Sequence, residues 1–123
     1  MLIVLSDLHF ADTSPYSMGI NRSNLNLPGR VYRTYFREIA ELIKEGQVEH
    51  IDLILAGDIF EITRSVMWHD DHLRPYVHNE EVGEGTPLEK RILDILDSIA
   101  KDPKVDDTAK VFQSLEDLFG MPV

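Results

Sequence analysis

At 123 residues, 43% of them apolar and 28% charged, the chain has the size and composition of one globular domain spanning 1–123. A formal net charge of -10 argues against passive binding to nucleic acid or an anionic membrane, and the lack of cysteine excludes disulfides and thiolate metal sites. There is no stretch of the roughly 20 apolar residues needed to cross a bilayer and no basic leader before the short apolar start, so a soluble, cytoplasmic protein is expected.

Residues 1–5, MLIVL, are continuously apolar, which predicts a strand covered on both faces in a parallel sheet. The run stops at Asp7-Leu8-His9. Residues 31–45, VYRTYFREIAELIKE, set Tyr32, Tyr35, Phe36, Ile39, Leu42 and Ile43 at helical spacing, with Gly46 as the stop. Residues 51–56, IDLILA, form a second apolar strand that runs into Gly57-Asp58. Strand, helix and strand at these lengths make a βαβ unit, with both strands ending on the same edge of one sheet.

Residues 63–87 are loop-like and hold His69, His72 and His78. The first two have a spacing that suits a metal, but with no matching block elsewhere they are read as part of an acidic, solvated loop, as His78 and His50 are read as surface residues. Trp68 and Tyr76 are expected to pack beneath that loop. Thr86 to Glu89 forms a capping box with Pro87 at the first helical position, opening a helix over 88–101 that buries Leu88, Ile92, Ile95, Leu96 and Ile99. A last helix over 106–119 buries Phe112, Leu115 and Phe119, ends at Gly120 and takes Asp106-Asp107 as its cap.

The carboxyl edge of an open α/β sheet is where ligands bind. Asp7 and His9, two apart, leave an extended backbone on the same side, and Asp58 arrives from the neighbouring strand. Two acids brought together raise each other's pKa unless a cation compensates, so Asp7, His9 and Asp58 are candidate ligands of a divalent metal. Oxygen and imidazole donors suit manganese, iron, zinc, nickel or cobalt. Gly57 permits close approach to the backbone.

SDLHF and LILAGDIFE resemble the first two signature blocks of the calcineurin-like metallophosphoesterases, D-x-H and G-D-x-x-D. The resemblance implies the N-terminal half of an α/β/β/α sandwich with a parallel βαβ core. It also implies two divalent metals, Asp7 and His9 holding one and Asp58 bridging to the other, and hydrolysis of a phosphate mono- or diester on a small phosphorylated substrate by a metal-activated hydroxide. Glu61 stands where the family usually has aspartate, in a position supporting the ligands. A glutamate there is similar to the lipid A pathway enzymes that hydrolyse UDP-diacylglucosamine. Arg64, just beyond, is a candidate for a substrate phosphate. The family's later blocks, G-N-H-[DE], a lone histidine and G-H-x-H, have no counterpart, since the chain contains no Asn-His, Gly-His or His-x-His. The general acid and the remaining ligands are therefore expected in a missing half, and little turnover is expected of these residues alone.

Two other classes compete. A receiver-like, magnesium-binding signalling domain has a similar length, but it needs five strands, an acidic pair after the first and a lysine ending the last. A non-catalytic fragment would persist by self-association along an open sheet edge, because two strands make a marginal sheet.

Overall fold

The computed structural model describes residues 1–12, 26–70, 72–75 and 83–123. His78 and Tyr76 lie outside the described residues. Among the described residues the fold is mixed α/β: β1 (Leu2–Ser6), α1 (Gly29–Glu45), β2 (Asp52–Ala56), a 3-10 turn (Val66–His69), α2 (Pro87–Ala100), α3 (Pro103–Gln113) and α4 (Leu115–Phe119). The strands pair in parallel, Leu2 opposite Asp52 through Ser6 opposite Ala56. Among the described residues they form a two-stranded sheet, short of the five strands a receiver fold requires.

The expectation of a strand covered on both faces is corrected. Ile3 is buried and Leu5 half-buried, whereas Leu2 and Val4 are 60% and 51% exposed. In β2, Ile54 on the same outer face is 46% exposed. Successive side chains of a strand leave on opposite faces, so a continuously apolar run fills two apolar surfaces, and the described elements cover only part of one, Leu55 beside Leu5 being 47% exposed.

Helix α1 buries Tyr32, Phe36, Ile39, Ala40 and Ile43. Tyr35 and Leu42, expected on that face, are 43% and 58% exposed. The buried set follows the 3.6-residue period through Phe36, and positions 35 and 42 fall on the flank of this narrower stripe. Phe36 is fully buried, its ring edge-on to Phe112 at 5.5 Å and to Phe119 at 6.0 Å. Thus α1 packs on α3 and α4. Gly29 lets the start of α1 approach α3, because a β-carbon there would fall 2.4 Å from Asp107 Oδ2 and 2.7 Å from its backbone oxygen.

The start of α2 follows its capping signature. Thr86 Oγ1 accepts from Glu89 N at 3.1 Å, and Glu89 reaches back to Gly85 N at 2.6 Å rather than to the cap residue itself. The last helix is corrected: it begins at Pro103, not 106, and breaks at Ser114, whose hydroxyl donates to Val111 O at 2.8 Å. Its cap is Asp102, which accepts from Lys104 N at 2.7 Å. An acid followed by proline satisfies both the N-cap and the first-turn preference, so Asp102-Pro103 starts the helix before Asp106-Asp107. Asp106 instead bonds Lys110 at 2.6 Å and raises the pKa of that ammonium. The chain then turns at Gly120 with φ 70. Trp68, in the 3-10 turn, is buried beneath the loop as expected, its indole donating to Ile62 O at 2.7 Å. Among the described residues, no helix is long and apolar enough to cross a membrane.

Candidate metal centre

The parallel pairing continues past the strands and joins the two motif segments. Asp7 N donates to Ala56 O at 3.1 Å, His9 N to Asp58 O at 2.9 Å and Phe10 N to Ile59 O at 2.9 Å; in return Glu61 N donates to Phe10 O at 2.9 Å. The extended backbone expected through Asp7 and His9 is not found. Both residues are left-handed, with φ 56 and φ 48, a conformation costing a non-glycine residue roughly 1–2 kcal/mol. Such strain is held where the surroundings over-determine it, here by cross-strand hydrogen bonds on either side of each residue.

The Asp7 carboxylate lies in the space left by a missing side chain. Gly57 has φ 69, and a β-carbon on it would stand 2.4 Å from Asp7 Oδ1. The same oxygen accepts from Asp58 N at 3.3 Å. A hydrogen bond from the Ser6 side chain and then this backbone N–H hold the Asp7 carboxyl below the usual carboxylate range, against a partial opposing effect of desolvation. An exposed carboxylate therefore stays ionised and adjacent to Asp58.

His9 turns to a different partner. Its Nδ1 lies 3.0 Å from Glu61 Oε2, and Thr63 Oγ1 donates to the other Glu61 oxygen at 3.0 Å. Arg64 Nε lies 3.6 Å from Glu61 Oε2, with its side chain 80% exposed. The candidate residues thus form two neighbouring pairs, Asp7 with the Gly57-Asp58 turn and His9 with Glu61. Among the described residues, no three His, Asp or Glu side chains gather as a ligand set. His69 ends the 3-10 turn and is exposed, as is His72.

Three supports escaped the sequence reading. Buried Asp12 accepts from the Ser65 hydroxyl at 2.7 Å, tying the segment after His9 to the segment after Glu61. Buried Asn26 both accepts from Ala11 N and donates to Ala11 O, each at 2.9 Å, and donates to Asp102 Oδ2 at 2.8 Å. Asp102 therefore caps α3 and anchors the first motif loop through one carboxylate. Its Asp-Pro signature was visible, but nothing local announces a partner 76 residues away. Beside the site, an apolar groove of about 680 Å³ runs between Leu8, Phe10, Leu55, Ile59 and Phe60 on one side and α2 and α3 on the other. Residues 8 and 10 alternate with Asp7 and His9, so the same segment supplies polar groups and a hydrophobic wall.

The resemblance implies a divalent cation; no ligand set gathers among the described residues, but two features suit one. The Gly57 gap leaves room for a carboxylate at the strand end, and the donors are oxygen and imidazole, the set that first-row divalent ions accept. No protein-family profile, no curated protein and no solved structure matches the chain.

Proposed function

We propose that these residues belong to a metal-dependent phosphoesterase of the calcineurin-like type, with Asp7, His9 and Asp58 holding a divalent cation and Arg64 meeting a phosphate oxygen. The observation that carries the reading is the juxtaposition of the two motif segments, with Asp7 Oδ1 seated over Gly57 and bonded to Asp58 N. Bound there, a divalent cation supplies Lewis acidity and charge neutralisation at phosphorus. Asp7 contributes a carboxylate already held ionised by its hydrogen bonds. Asp58 contributes the second carboxylate, and a dication at the strand end would offset the repulsion between the two acids. Arg64, 80% exposed, faces Glu61 Oε2 through Nε at 3.6 Å, which leaves the outer edge of its guanidinium for a phosphate. The substrate class is a small phosphorylated molecule. The ligands of a second metal and the donor of the leaving-group proton are assigned to none of these residues.

The test is manganese binding by the chain, followed by electron paramagnetic resonance, for wild type, Asp58→Asn and His69→Ala. Asp58→Asn keeps the shape but removes a charge and is expected to weaken binding by at least tenfold, with His69→Ala unchanged. Retained binding in Asp58→Asn, or loss in His69→Ala, places the site elsewhere.

A second reading, a non-catalytic chain that associates through its sheet, is favoured by one observation: Leu2, Val4 and Ile54 form an apolar outer face on a two-stranded sheet.

A further inference from the structure

We infer that Glu61 is a positioning residue for His9: it fixes the proton on Nδ1 and so presents Nε2 as the only nitrogen with a lone pair for a cation. The inference rests on the reading of His9 as a metal ligand and deepens it.

A carboxylate accepts hydrogen bonds and does not donate them, so at 3.0 Å from Glu61 Oε2 the hydrogen must sit on His9 Nδ1. A neutral imidazole has one N–H, which leaves Nε2 bare. In water a free ring exchanges between tautomers. Here the partner is held too firmly for that. Glu61 Oε1 accepts from the Thr63 hydroxyl at 3.0 Å, its backbone N–H donates to Phe10 O at 2.9 Å, and its side chain is only 13% exposed. The ring is fixed from its own side as well, by the left-handed backbone at His9 and the bond from His9 N to Asp58 O at 2.9 Å. Arg64 Nε lies 3.6 Å from the same Oε2, so a cationic side chain also faces that oxygen.

The geometry also accounts for glutamate at a position where the resembling family has aspartate. An aspartate is shorter by one carbon–carbon bond, about 1.5 Å, and would leave His9 Nδ1 out of hydrogen-bond reach from this backbone position. Carboxylates that orient a ligating histidine in this way commonly change metal affinity 10- to 100-fold when removed.

The experiment has two readouts. The first is the tautomer of His9 in the metal-free, nitrogen-15-labelled chain, read from long-range proton–nitrogen correlations under conditions where the ring is neutral and assigned by its disappearance in His9→Ala. The second is manganese affinity by electron paramagnetic resonance. Wild type should show the Nδ1–H form. Glu61→Gln, whose amide oxygen accepts the same bond, should keep that form and lose less than tenfold in affinity. Glu61→Ala and Glu61→Asp should show mixed tautomers and lose 10- to 100-fold. A wild-type ring with its proton on Nε2, or Glu61→Ala keeping both the tautomer and the affinity, overturns the inference. If instead His9→Ala binds manganese as tightly as wild type, the metal reading at His9 fails, and the tautomer in the metal-free protein still decides the role of Glu61.

Discussion

Gly57 and Asp7 occupy one space: the carboxylate of Asp7 lies where Gly57 would carry its side chain, 2.4 Å from an ideal β-carbon. Two residues 50 positions apart thereby constrain each other's identity. Gly57→Ala meets both a positive φ of 69 and this overlap, so it is expected to displace the carboxylate and cost about 1–3 kcal/mol. Urea unfolding measures the loss. A variant as stable as wild type, with Asp7 still bonded to Asp58 N, contradicts the packing described.

Phe36 is the centre of the interface between α1 and the last two helices, fully buried and edge-on to Phe112 and Phe119. Truncation to alanine leaves a cavity between three elements and should cost about 3–5 kcal/mol. Leu42→Ala on the same helix, at a position 58% exposed, should change stability by less than about 0.5 kcal/mol. The pair of melts distinguishes this buried face from the wider one that periodicity suggests.

Asn26 satisfies both backbone groups of Ala11 and one oxygen of Asp102. Asn26→Leu fills a similar volume but strands those buried groups, and a loss of about 1–3 kcal/mol is expected. Because Ala11 lies two residues from His9, the variant should also broaden the His9 ring resonances. Unchanged stability would mean that the clamp is not formed in solution.

Burial raises the pKa of Tyr32 above its ordinary value of 10.0. The phenol packs against Phe10 and Phe112 at ring separations of 6.3 and 5.9 Å. The unfolded chain ionises at the ordinary value and the folded chain later. Stability is therefore intact below pH 10.0 and falls as pH rises through the higher folded value. Ultraviolet titration should show a late phenolate step that Tyr32→Phe removes, and a Tyr32 that ionises with the free amino acid would refute its burial.

The outer sheet face carries Leu2, Val4 and Ile54, each at least 46% exposed. Sedimentation over a range of concentrations should show self-association, and Val4→Thr with Ile54→Thr should weaken it while leaving the melt of the monomer within about 1 kcal/mol. A wild-type chain that stays monomeric at high concentration rules out the association reading.

Local pattern was enough to locate most elements. The apolar runs near residues 1–5 and 51–56, the N-cap at Thr86 and the helix end at Gly120 are each marked by a pattern within a few residues, and each lies where expected. The Asp102-Pro103 cap is equally local, and it starts the helix ahead of the Asp106-Asp107 pair expected to cap it. Tertiary structure alone decided which apolar side chains are covered, because periodicity places Leu2 on a face of its strand and Tyr35 and Leu42 on a face of their helix but does not state whether another element reaches it. It also decided the partners at the candidate site. Spacing put Asp7, His9 and Asp58 on one sheet edge, but the left-handed turns at Asp7 and His9 send the carboxylate to Gly57 and the imidazole to Glu61. Those contacts span about 50 residues, and they depend on how two strands pair, which is a property of the pair and not of either segment.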